Sequence, residues 1–275
     1  MAAVAAPAVA TPGTHRGDRW AVLSGLGGVA ASAWIYLVVV ARPMSAGMGP
    51  TGMTDRSMGH AVQSVMQMRT WSATESGLML SMWAVMMVAM MLPTAVPTTL
   101  VYAAVARKAA RDGNPIAPTS VFVAGYLVVW ALFSMAAAAG QRGLDQMAVL
   151  SPAMASASPL LGSALLIAAG VYELTPMKHA CLAQCRAPAH FIADNWRPGP
   201  TGAFRMGLGH GAYCLGCCWI LMGLLFLGGV MNLLWIAVIA VFILLEKTVP
   251  LGEAGGRVVG TAMIIVGVLS LSGVV

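Results

Sequence analysis

From Gly77 to Ala104 the chain runs for 28 residues without one charged side chain. A bilayer's hydrocarbon layer is about 30 Å thick and takes about 20 apolar residues in a helix. Seven segments answer that description, near 20–41, 77–104, 119–140, 159–179, 206–228, 231–248 and 257–275. The composition agrees, with 59% hydrophobic and 9% charged residues and a mean hydropathy of +0.82, values outside the soluble globular range. The ten-residue alternation of a transmembrane β-strand is absent, so every backbone polar group must be satisfied within helices. The expected fold is all-α, a polytopic transmembrane helical bundle of seven spans. Only "GGVMN" separates the fifth and sixth apolar runs, and reading them as one gives six.

Residues 1–19 are rich in Ala, Pro and Gly and lack the charged start and apolar core of a cleaved signal peptide. They read as a disordered tail before a single transmembrane domain, 20–275. Basic residues then set the orientation. The N-terminus and the segments 105–118, 178–205 and 246–257 hold eleven Lys and Arg, against four (Arg42, Arg56, Arg69, Arg142) on the opposite side. That difference puts the N-terminus in the cytoplasm, with the chain expected in an inner (cytoplasmic) membrane. The formal charge of +6 follows from these loops and their anionic lipid contacts, with no nucleic acid needed.

Orientation sorts the sulfur. Of 21 methionines, twelve lie between Met44 and Met91. The external loop 42–75 is Gly-rich and carries Met44, Met48, Met58 and His60. Thioethers are soft ligands that select Cu(I) and tolerate an oxidising exterior; the plainer reading is a Met-containing lid on the membrane surface. In the second span Met79, Met82, Met86 and Met90 fall within an arc of about 80°, with Met87 and Met91 beside them. Such a stripe serves helix packing more often than ion conduction, but it continues the Met-rich loop. Pro93 and Pro97 should kink this helix and free carbonyls.

All five cysteines fall on the cytoplasmic side, where thiols stay reduced. If the fourth span continues past Pro176, Glu173, Met177, Cys181 and Cys185 share a face. On the fifth span His210, Cys214 and Cys217 lie within about 60° of arc, with Cys218 at the edge. Facing helices could then build a soft-metal site from Cys181, Cys185, His210, Cys214, Cys217 and Cys218. The competing readings are small buried side chains and a dithiol redox pair of the Cys-x-x-Cys kind. Glu173 lies within a span, where a carboxylate is costly, and reads as a proton acceptor or a partner behind the metal ligands. Glu246, beside Lys247, reads as a headgroup-level charge. No phosphate loop, Ser/His/Asp nucleophile, haem or EF-hand motif is present.

The segments "MWAVMMVAMMLPTAVP", "YELTPMKHACLAQCRAP", "FRMGLGHGAYCLGCCWILM", "GVMNLLW" and "LLEKTVP" together resemble a bacterial family of unknown function known as predicted metal-binding integral membrane proteins. The resemblance covers roughly 75–250. It implies a multi-helix membrane protein with candidate metal ligands at Cys181, Cys185, His210, Cys214, Cys217 and Cys218, and it implies no substrate.

Three functions fit these readings. The first is Cu(I) binding and transfer without catalysis, from the Met-rich exterior to the cytoplasmic Cys/His cluster, exchanging metal with donor or acceptor proteins; zinc suits the cluster alone. The second is an accessory subunit of a larger, copper-dependent membrane enzyme. The third is a membrane thiol oxidoreductase.

Overall fold

The computed structural model describes residues 16–46, 72–113, 117–147, 159–249 and 252–273. Among them every regular element is helical: α1 (Arg16–Ala46), α2 (Ala73–Arg111), α3 (Thr119–Gln146), α4 (Pro159–Glu173), α5 (Pro176–Arg186), α6 (Pro188–Asp194), α7 (Gly199–Gly223), α8 (Leu225–Gly228), α9 (Leu233–Thr248) and α10 (Gly252–Leu271). By length and composition α1, α2, α3 and α7–α8 could each cross a membrane, and α4 with α5 makes a fifth crossing if the pair counts as one. The other two expected spans are shorter: α9 has 16 residues, and the apolar part of α10 is Gly255–Leu271. Most of the external loop, with Met48, Met58 and His60, lies outside the described residues. Met44 falls in the last turn of α1 with its side chain outside them too.

Local chemistry explains several boundaries. The Ser72 hydroxyl accepts from the Glu75 amide while the Glu75 carboxylate accepts from the Ser72 amide, a capping box that starts α2. The helix then continues through Pro93 and Pro97. Pro93 cannot donate to the carbonyl of Ala89, and the indole of Trp34 on α1 donates to that oxygen instead, at 3.1 Å. A lost helix bond thus becomes an inter-helix tie.

The fourth expected span does not run through Pro176. It bends by 66° between α4 and α5, because Thr175 caps the new helix and Pro176 occupies its first turn. Pro188 and the Gly199–Pro200 pair restart the chain in the same way, so the segment 178–205, expected as a loop, is mostly helical. At the fifth–sixth break the chain does turn, with Gly229 at φ +93° and Asn232 capping α9.

Helix directions follow from pairs in contact. Trp83 meets Gln141 while Tyr102 meets Ala117, so α2 and α3 run antiparallel. Gly207 faces Phe122 and Gly211 faces Tyr126 and Val129, so α3 and α7 run parallel. Gly170 opposes Gly260 and Ile167 opposes Gly267, making α4 and α10 antiparallel. Two cores result. The larger is Met-rich and holds Met82, Met86, Met87, Met90, Met91, Trp83 and Trp130. The smaller joins Tyr102, Phe122, Phe191, Ile192 and Met206, toward the C-terminal end of α2 and the N-terminal ends of α3 and α7.

Candidate metal centre

The middle of α7 lies inside the bundle. His210, Cys214, Cys217 and Cys218 are all at most 2% exposed, although Cys218 sat at the margin of the face read from helical spacing. No disulfide forms among the five cysteines. The Cys217 and Cys218 thiols donate to the carbonyl of Cys214 at 3.1 and 3.0 Å. Cys185 of α5 is buried and its thiol interacts with those of Cys214 and Cys217. Cys181 is half-buried on the same helix. Its sulfur reaches α7 at Gly216, where a Cβ would stand 2.8 Å away, so the glycine makes room for it. The expected pairing of α5 with α7 therefore exists, on a helix that begins anew after the bend.

The sulfur of Cys214 is the most connected atom of the group. The Lys247 ammonium lies 2.9 Å from it, Tyr126 Oη 3.1 Å and Thr94 Oγ1 3.8 Å. Lys247 also lies 3.4 Å from Thr94 Oγ1 and 4.0 Å from Cys218 Sγ. An ammonium with 7% exposure needs a counter-charge close by, and the sulfur of Cys214 is the atom placed to carry it. Tyr126 donates onward to the carbonyl of Met91 at 2.9 Å, which ties this sulfur to the proline-containing stretch of α2.

His210 sits one turn before Cys214, among the rings of Phe122, Tyr126 and Phe191, with centroids 6.1, 5.6 and 5.3 Å away. Its Nδ1 is buried with no hydrogen-bond partner among the described residues. The ring thus packs in an aromatic cage beside the thiols. Past Phe191 a cavity of about 420 Å³ is lined by Asn195, Arg197, Arg205, Met206, Gly209 and Tyr213.

A second polar group closes the same layer of the bundle. Glu173, at 0% exposure, pairs with Lys178. Lys178 Nζ also donates to both oxygens of Glu246 at 2.7 and 2.9 Å, and Arg186 Nε donates to the Glu246 carbonyl at 2.7 Å. Glu246 and Lys247, read from the sequence as headgroup charges, are instead both 7% exposed. They point to different partners, Glu246 to Lys178 and Lys247 to Cys214. Met177, expected on the cysteine face, is exposed; it stands in the first turn of α5, ahead of Cys181 and Cys185.

Of the sequence candidates, the structure therefore brings together Cys185, Cys214, Cys217 and Cys218, with Cys181 and His210 adjoining. Glu173 lies in the neighbouring ion-pair group. Met82, Met86 and Met90 lie in the core and Met79 is half-buried against it. Sequence reasoning missed Lys247, Lys178, Tyr126 and Thr94. Among the described residues no three His, Cys, Asp or Glu side chains converge to hold a metal ion. Two thiols point at a carbonyl and Lys247 stands on one side of the Cys214 sulfur.

No curated protein and no solved structure gives a significant match to the chain. Residues 80–270 match the model of the PpoB2 family, described as a copper chaperone. That span includes all five cysteines, Thr94, Tyr126, His210 and Lys247. By this match over most of its length, the chain belongs to the PpoB2 copper chaperone family.

Proposed function

We propose that this chain is a membrane-embedded copper chaperone that binds Cu(I) through Cys214 and a neighbouring thiol of the α5–α7 group and passes it to a partner protein. The observation that carries the reading is the gathering of three buried, reduced cysteines around a fourth, Cys214, whose sulfur is held against a buried ammonium. Thiolates are the strongest Cu(I) ligands among side chains. The ammonium stands 2.9 Å from the sulfur, placed to balance the charge of a metal-binding thiolate. The long apolar helices support membrane insertion, and the Lys/Arg distribution supports a thiol group nearer the cytoplasmic face of an inner membrane.

In this reading Met44, Met48, Met58 and His60 collect copper outside, and the stripe from Met79 through Met90 leads inward. Transfer runs downhill because thiolates hold Cu(I) more tightly than thioethers. The partner is a metal donor or acceptor; no catalytic step is required of this chain. The thiol-oxidoreductase reading draws on the same Lys247–Cys214 contact. It fits less well, because Cys214 sits in the middle of α7 and lacks the helix N-terminus that activates dithiol enzymes.

The test is the copper content of anaerobically purified protein, wild type against Cys214→Ser/Cys217→Ser. The proposal expects copper in the wild type and its loss from the double variant. Equal copper in both would remove the thiols from the site, and a mixed disulfide formed by metal-free protein would favour the redox reading.

A further inference from the structure

We propose that Lys247 makes the thiol group selective for a monovalent ion, by supplying a fixed positive charge that balances Cu(I) held by two thiolates but not a divalent ion so held. The inference rests on the thiol site proposed above and names the residue that sets its metal preference.

The charges nearby divide into two sets. The carboxyl groups of Glu173 and Glu246 and the cations of Lys178 and Arg186 form one set. Lys178 contacts both carboxylates and Arg186 holds the Glu246 carbonyl. That set is paired within itself and draws no contact from Lys247. Lys247 stands outside it, although it adjoins Glu246 in sequence. Its contacts are Thr94 Oγ1 at 3.4 Å, Cys214 Sγ at 2.9 Å and Cys218 Sγ at 4.0 Å. The thiol group therefore contains one positive charge that no carboxylate among the described residues pairs with, in a region almost closed to water.

Buried charge is tolerated only when balanced. Without metal, Lys247 and a Cys214 thiolate sum to zero. When Cu(I) binds, bonds form from copper to Cys214 and to a second sulfur, and the proton of that second thiol leaves to solvent. One positive charge enters and one departs, so the sum remains zero. A divalent ion on the same two sulfurs leaves the interior at +1. It reaches balance only with a third thiolate, which requires Cys185 together with one of Cys217 and Cys218, or both of the latter, so at least one thiol must abandon the Cys214 carbonyl it now donates to. Lys247 is thus a positioning and selecting residue, and not itself a ligand.

The experiment measures Cu(I) affinity against a chromophoric Cu(I) chelator, and Cd(II) affinity by thiolate absorbance, anaerobically in detergent. The proteins are wild type, Lys247→Gln and Lys247→Arg. At an effective dielectric near 20, one charge about 4 Å from the copper–thiolate group justifies a loss of up to about 1,000-fold in Cu(I) affinity for Lys247→Gln. Cd(II) affinity should hold or rise, and Lys247→Arg should restore the wild-type ratio. Thr94→Asp places a carboxylate beside Lys247 and cancels its charge without removing it, so it should shift the ratio the same way even if Lys247→Gln does not fold. Equal changes for both ions, or no change, would overturn the inference while leaving the thiol site standing. Full Cu(I) binding by Cys214→Ser/Cys217→Ser would instead show that the site itself is misplaced.

Discussion

Gly207 of α7 offers the sharpest test of the helix packing that places the cysteines. A Cβ at this position would stand 2.0 Å from the Phe122 carbonyl oxygen, 3.0 Å from its carbon and 3.1 Å from the Tyr126 nitrogen. All three are backbone atoms of α3, so no side-chain rotation relieves the contact. The helices must part by about 1 Å, and overpacking of this kind costs about 1–3 kcal/mol. Backbone obstruction argues for the upper figure. Replacing a mid-helix glycine by alanine returns about 1 kcal/mol of helix propensity, leaving a net loss of about 2 kcal/mol for Gly207→Ala. At about 2–4 °C per kcal/mol in a chain of this size, the apparent melting temperature should fall by about 4–8 °C. Gly209→Ala is the control: its Cβ would meet only the Phe191 ring at 3.8 Å, so it should gain up to about 1 kcal/mol from propensity alone. Thermal unfolding of the two variants in one detergent, followed by size-exclusion fluorescence, gives the comparison. Equal stabilities would refute the close α3–α7 approach. Gly207→Ala should also weaken copper retention, because parting α3 from α7 draws Tyr126 away from Cys214.

Other perturbations read other parts of the structure. Lys178→Met leaves the carboxylates of Glu173 and Glu246 buried together and should cost about 3–5 kcal/mol. Glu246→Gln leaves Lys178 paired with Glu173 and should cost less; the reverse order in thermal unfolding would contradict the assigned pairs. In detergent-solubilised folded protein a maleimide should react rapidly with one thiol, Cys181, since the other four are buried, and Cys181→Ser should abolish that fast phase. Two or more fast thiols would mean that the group is open. On intact cells a membrane-impermeant maleimide should label none, and labelling would reverse the proposed orientation.

What the sequence made legible follows physical range. Long uncharged runs announce α1, α2, α3 and α7 because the signal is length and composition, both local. The His210–Cys214–Cys217 face was legible for the same reason, since helical spacing alone sets it. The bend before α5 was also written locally, as Thr175 followed by Pro176, but the four-residue recurrence of Glu173, Met177, Cys181 and Cys185 suggested one continuous helix. Lys247 could not be read. Its partners, Cys214 and Thr94, lie 33 and 153 residues away, and beside Glu246 it looks like an ordinary charge at a helix end. The stripe of methionines marks a face, and only the assembled bundle shows that Met82, Met86 and Met90 turn it into the core.

The central claim is that Cu(I) is held by sulfur within the α5–α7 group. X-ray absorption of the protein loaded anaerobically with one equivalent of Cu(I) tests it most directly. The account predicts a low-coordinate shell made of sulfur, lost in Cys214→Ser/Cys217→Ser. A shell dominated by nitrogen or oxygen, or a sulfur shell unchanged in that variant, would contradict it.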